Sequence, residues 1–178
     1  MDTSLEEVWA ALDGVVDPEI PVVTLRELGI LRDIRVGPHG LEIVITPTYS
    51  GCPAMDQMAD DVRTALHERG LEGTVVTQLA PAWTTDWISE AAREKLRAYG
   101  IAPPQAACVP SARSGHETAH QRVLHFMPRA AAGHPVAVSC PRCGSPNTVE
   151  SSRFGSTACK ALYKCLSCQE PFDYFKPY

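Results

Sequence analysis

ILRDIRVGPHGLEIVITPTYSGCPAMDQMADDVRTALHERG, residues 30–70, carries the plan of the fold. Residues 30–36 and 41–46 are rich in Ile, Leu and Val and flank Gly37-Pro38-His39-Gly40, so they read as two strands of a hairpin. Pro47 and the run Thr48-Tyr49-Ser50-Gly51-Cys52-Pro53 predict a loop. From Ala54 the period changes. Met55, Met58, Ala59, Val62, Ala65 and Leu66 share one helical stripe that ends at Gly70. Pro53 suits a first helical position, which makes Cys52 the expected helix cap. A thiol there would face unpaired N–H groups at the positive helix end, where its thiolate is favoured.

Upstream, Ser4 and Glu7 have capping-box spacing, and Leu5, Val8, Trp9 and Leu12 predict a helix over about 4–13, closed by Gly14. In DPEIPVVTLRELGILRDI, residues 17–34, Pro18 and Pro21 exclude a helix interior. Asp17-Pro18-Glu19 places two carboxylates in a rigid turn, which on its own reads as solvated. Downstream, a third strand is expected over 73–79 and a last helix over about 87–99, capped by Asp86 or Thr85 and stopped by Gly100 and Pro103-Pro104. Trp83 and Trp87 are expected to pack on the sheet. Residues 1–100 thus read as an α+β domain, a small sheet with packed helices.

The chain has 178 residues, 44% of them hydrophobic and 21% charged, which excludes disorder, coiled coil and collagen. No apolar run reaches membrane-spanning length, and Asp2, Glu6 and Glu7 stand where an export signal would be basic, so a cytoplasmic location is expected. Net charge is −5, which argues against nucleic acid as a partner. The charge is uneven: residues 138–178 carry five basic and three acidic side chains, and hence +2.

Seven cysteines suit metal binding or reactivity better than disulfides in a reducing compartment. Five of them fall between Cys140 and Cys168, whereas Cys52 and Cys108 stand alone. Between the cysteine-rich tail and the front domain, 13 of the residues 101–136 are Ala or Pro, the composition of a linker. His116, His120, His125 and His134 in or near it follow no metal-ligand pattern.

Cys140-Pro141-Arg142-Cys143 and Cys165-Leu166-Ser167-Cys168 form two C-x-x-C knuckles separated by 21 residues. Each spacer lets one tight turn aim two thiolates at one ion, so all four are expected to ligate a structural zinc, with iron in a rubredoxin-like site the lesser alternative. Residues 135–139, 148–154, 161–164 and 172–175 are short and β-prone, so 137–178 reads as a small β zinc ribbon. Some 40 residues bury too little apolar surface to fold alone, so the ion would supply much of the folding free energy. Cys159, in FGSTACKALYKC, breaks the count of four; it is open to reading as a core residue, a spare thiol, or a ligand of a second centre shared with another chain. Lys160 and Lys164 beside it are expected to lower its pKa.

DPEIPVVTLRELGILRDI (17–34) and TPTYSGCPAM (46–55) resemble the MIP18 (DUF59) family of iron–sulfur assembly factors over about residues 1–80. With PAWTTDWISEAAREKLRAYGIAPP (81–104), CPRCGS (140–145) and FGSTACKALYKC (154–165), nearly the whole chain is similar to the accessory D subunits of phenylacetyl-CoA ring-epoxidase systems. That resemblance implies an accessory or maturation factor of aerobic phenylacetate degradation, not itself an enzyme, assisting Fe–S cluster assembly or transfer to oxygenase or reductase subunits. It implies Cys52 as the cluster-handling thiol, with a transient Fe–S cluster as cargo, and places the family's acidic turn on Asp17 and Glu19; it leaves the role of Cys159 open. A carboxylate diiron site takes two Glu-x-x-His motifs and the chain has a single one, Glu117-Thr118-Ala119-His120 in the Ala/Pro-rich stretch; it also has no dinucleotide fingerprint, in keeping with such a role. A non-catalytic structural subunit that docks through the ribbon is the alternative. Homo-oligomer formation is left open.

Overall fold

The computed structural model describes residues 5–37, 40–104 and 138–178. The predicted cap Ser4, the loop tip 38–39, Cys108 and the linker histidines lie outside the described residues. Helix α1 (Leu5–Leu12) buries Val8 and Leu12. The expected hairpin is present as β1 (Leu31–Gly37) and β2 (Gly40–Ile45), antiparallel with Gly37 opposite Gly40. The register of β1 shifts between Leu31 and Asp33, so Leu31 and Ile34 both face the core although they are three residues apart. Helix α2 (Met55–His67) then crosses over and buries Met58, Val62 and Leu66, one position per turn. Strand β3 (Gly73–Thr77) pairs parallel with β2 and completes a sheet ordered β1-β2-β3.

The segment before β1 is built from turns. Thr24 and Glu27 form a reciprocal capping box: the Thr24 N–H donates to Glu27 Oε2 at 3.0 Å, and the Glu27 N–H donates to Thr24 Oγ1 at 3.2 Å. Lys95 reaches Glu27 at 2.7 Å, tying this turn to the last helix.

That helix, α3 (Glu90–Tyr99), begins later than its sequence pattern suggests. Thr85–Trp87 forms a separate 3₁₀ turn, and the cap is Ser89, whose hydroxyl accepts the Ala92 N–H at 3.1 Å, rather than Asp86 or Thr85. Gly100 ends α3 in the left-handed region at φ 95°, in line with the stop read from the sequence.

Ile101 and Ala102, which the composition assigned to the linker, form strand β4 and pair parallel with the last strand of the tail. The tail supplies β5 (Thr148–Ser152), β6 (Lys160–Cys165) and β7 (Pro171–Phe175), giving a second sheet ordered β4-β7-β6-β5. Val138 and Ser139, at the expected first ribbon strand, are not in a strand. The two modules share a core. Phe175 and Cys159 of the tail are buried in the same apolar cluster as Val8, Leu12 and Val62. Trp83 joins them: its indole N–H donates to the Leu28 carbonyl at 3.0 Å, and its ring lies 6.0 Å from Phe175 and 6.4 Å from Tyr178. Its contacts are thus with the turn before β1 and with the end of the tail. Among the described residues, no helix is long and apolar enough to cross a membrane.

Candidate metal centre and thiol cleft

The two knuckles converge. The Sγ atoms of Cys140, Cys143, Cys165 and Cys168 all lie within 4.8 Å of one another. Cys140 and Cys168 are 3.8 Å apart at sulfur, and Cys143 and Cys165 are 3.6 Å apart. Bonds of about 2.3 Å to a central ion give tetrahedral edges of about 3.8 Å, so the quartet is spaced for an S₄ site. Backbone groups prepare it. The Cys168 N–H points at Cys165 Sγ at 3.5 Å, and the Cys165 thiol is brought down to about 6. Against a lowering hydrogen bond from the Glu170 N–H, burial and the neighbouring sulfurs push Cys168 up to about 12. A cation would relieve this crowding of thiols, which favours metal binding here.

The second group of chemically active residues is assembled by the packing of the two modules. Cys52 lies in the loop between β2 and α2, half-buried. It is not the helix cap: that position is Ala54, in αR conformation with no side-chain cap. The Cys52 N–H donates to the Tyr49 carbonyl at 3.2 Å and closes the turn that ends at Cys52, and Pro53 sits in a further turn just before the helix. The thiolate is not favoured either. Burial pushes the Cys52 thiol up, the Ala54 N–H works in the opposite sense, and the charges of Glu19 and Asp17 raise it further.

Asp17 is buried, at 6% exposure, not solvated as its turn alone suggests. Its carboxylate accepts the N–H groups of Glu19 and Ile20, both at 2.8 Å, and so builds the turn. Burial holds this carboxyl above the usual range, opposed by those two hydrogen bonds and by Lys160. Glu19 projects beside it and is raised by burial and by the Asp17 charge, with Lys160 and a hydrogen bond from Thr157 acting against.

Cys159 comes from the other module. It is buried, 3.0 Å from Thr157 Oγ1 and 4.0 Å from Glu19 Oε2. Lys160 does lower its pKa, as its sequence position suggests, but burial outweighs this and the thiol is raised. Lys160 is itself buried, 3.7 Å from Asp173. Tyr49 and Tyr178 stack at 6.2 Å alongside. Burial, followed by the charges of Cys52, Cys159, Glu19 and Tyr178, pushes Tyr49 up to about 12. Asp17, Glu19, Cys52 and Cys159 therefore form one cluster with Tyr49, Thr157, Lys160 and Tyr178, linked by short contacts and by mutual charge, at the edge of two concavities, one lined by Glu19 and Lys160 and the other by Tyr49 and Tyr178. Of the last four, Tyr49 lies in the TPTYSGCPAM loop and Thr157 and Lys160 in FGSTACKALYKC, whereas Tyr178 carried no motif; the docking of the ribbon on the front module brings them together.

A front α+β module whose turn carboxylates and loop thiol meet a cysteine-rich β ribbon is the architecture of an iron–sulfur assembly domain joined to a zinc ribbon. Two family models match accordingly: "Iron-sulfur cluster assembly protein" over residues 5–79 and "PaaD zinc beta ribbon domain" over residues 127–176. An Escherichia coli protein, provisionally named as the D subunit of 1,2-phenylacetyl-CoA epoxidase, is 47% identical over 173 residues, covering 97% of this chain and 92% of its own. The chain belongs to the family of these epoxidase D subunits. Over the front module it is also 34% identical to an Fe-S protein maturation auxiliary factor of Porphyromonas gingivalis, across 51% of this chain and 89% of that one. The corresponding auxiliary factor of Bacillus subtilis is 33% identical across 56% and 92%. A DUF59 domain from Bacillus anthracis of solved structure covers 51% of this chain and 89% of its own at 28% identity, with a TM-score of 0.47.

Proposed function

We propose that this chain is an accessory maturation factor of a phenylacetyl-CoA epoxidase system that assists assembly or transfer of an Fe–S cluster destined for an oxygenase or reductase subunit. The cargo is a substrate in transit, and Cys52 is the residue that handles it. One observation carries the reading: the Cys52 thiol is half-exposed on a loop and lies within reach of the charges of Glu19 and Asp17, within the segment similar to maturation factors. A stable cluster takes about four protein ligands. A cleft with fewer thiols suits cargo that must be released. Asp17 holds the turn, and Glu19 sets a negative potential that draws iron toward the thiol.

The four ribbon cysteines hold a structural zinc in this reading, closed to exchange, and the ribbon's other sequence features serve docking to the front module. The chain performs no oxygenation itself. Anaerobic reconstitution followed by transfer to an apo reductase subunit tests the proposal. Wild type is expected to restore the acceptor's cluster absorbance, and Cys52→Ala is expected to lose at least about tenfold in transfer rate with the ribbon metal retained. Equal transfer by the two proteins would leave a scaffold role in the epoxidase assembly.

A further inference from the structure

The Cys52 thiol does not act alone on this geometry. Cys159, from the ribbon, belongs to the same buried cluster against which Cys52 packs. Its sulfur stands 4.0 Å from Glu19 Oε2, and the charge of Glu19 reaches both thiols. Thr157 contacts both Cys159 and Glu19, fixing their relative position. The quartet of the ribbon uses four other cysteines, so Cys159 is not needed there. The buried Lys160 ammonium faces Asp17, Glu19 and Cys159 and pairs with Asp173, so its single charge meets three carboxylates. The excess is anionic and favours a divalent cation.

We propose that Cys52, Glu19 and Cys159 form one binding site for a single thiophilic divalent ion of the Fe²⁺ class, with the ribbon donating the second thiolate. This rests on the carrier role given to Cys52 above and identifies its partner ligand within the same chain. The three side chains are not gathered as tightly as the ribbon quartet, so the ion draws them together, aided by the half-exposed Cys52 loop. Two thiolates and a carboxylate suit a borderline-soft ion and leave a coordination position open for a recipient. Binding displaces one proton from each thiol to solvent, with no change in oxidation state of metal or sulfur. Tyr49 and Tyr178 stack on each other nearby, and the charges of both thiols act on Tyr49.

The test uses the full chain with its ribbon zinc-loaded, reduced and free of oxygen, titrated with Co²⁺ as the probe. A saturable cobalt site with a sulfur-to-cobalt charge-transfer band of two-thiolate intensity is expected. Cys159→Ala, which removes the thiol without burying a polar group, is expected to halve the band per bound cobalt and to weaken binding about tenfold or more. Glu19→Gln should weaken binding while leaving the band's intensity intact, and it perturbs a more exposed position. Thermal melts establish that each variant is folded. Absence of a cobalt site beyond the ribbon, or an unchanged band and affinity in both folded variants, overturns the inference. Cluster transfer separates the two ideas: normal transfer by Cys159→Ala with loss in Cys52→Ala removes only the ribbon's ligand, whereas normal transfer by Cys52→Ala removes the carrier reading itself.

Discussion

Gly29 adopts φ +70°, and a Cβ placed there would stand 2.6 Å from Trp87 Cβ. Both the backbone and the close approach demand glycine. Gly29→Ala is expected to cost about 2–4 kcal/mol in unfolding free energy, measured by urea denaturation; a loss near zero would mean that the 85–87 turn moves aside freely. Asp17 makes a different kind of demand. Its carboxyl is held above its ordinary value of 3.8 chiefly by burial, so the folded protein takes up this proton before the unfolded chain does. The stability it lends is complete below that ordinary value and falls as pH rises through the folded one. Asn keeps an oxygen to accept the Glu19 and Ile20 N–H groups and never ionises. Asp17→Asn is therefore expected to be more stable than wild type at neutral pH and to show a flatter profile on acidification, by urea midpoints across that range. A less stable variant at neutral pH would show that Lys160 more than offsets the burial of the charge. The stability gain would mark Asp17 as a residue kept at a cost to the fold, which is common where function sets the choice.

At the scale of elements, what was legible in the sequence was what is local. The stripe of α2 repeats within one helix, the hairpin closes over a few residues, and the knuckle cysteines lie three apart. The Cys52 cap was misread because a proline fits a pre-helical turn as well as a first helical position; the backbone at Ala54 decides between them. The α3 start was misread because Thr85, Asp86 and Ser89 are all chemically able to cap, and the 3₁₀ turn uses up the first two. The Thr24–Glu27 capping box was not read from the sequence, because it sits in turns with no helical apolar stripe behind it. Ser89→Ala tests the α3 assignment: loss of the Ala92 contact is expected to cost about 1 kcal/mol by chemical denaturation, whereas Asp86→Ala is expected to cost less than about 0.5 kcal/mol as an ordinary surface change. Reversal of the two would restore the longer helix.

The thiol cleft was not legible because it exists only once the whole molecule is assembled. Nothing near Ile101 announces that it pairs with Asp173, or that Phe175 completes a core begun by Val8 and Leu12. Those contacts join residues far apart in the chain, and their pattern is set by packing, not by local period. They also bind the fate of the front module to the ribbon's metal. On the proposed reading an S₄ ion would hold the knuckles, the knuckles lead into β6 and β7, and those strands with the residue before them carry Cys159 and Phe175 into the shared core. Stripping the ion with a chelator is therefore expected to loosen more than the tail. Losing Phe175 from its seat removes burial comparable to a large-to-small core change of about 3–5 kcal/mol, which lowers the melting temperature on the order of 10 °C for a chain of this size. Trp83 reports it directly, since its ring packs on Phe175 and Tyr178. Its emission should shift to the red on chelation and return when zinc is restored, and a Trp83→Phe variant should lose most of that shift. If the front module melts at an unchanged temperature without metal and Trp83 emission stays blue, the modules are joined only by the linker, and a cleft that needs Cys159 beside Glu19 would not be held together by the fold.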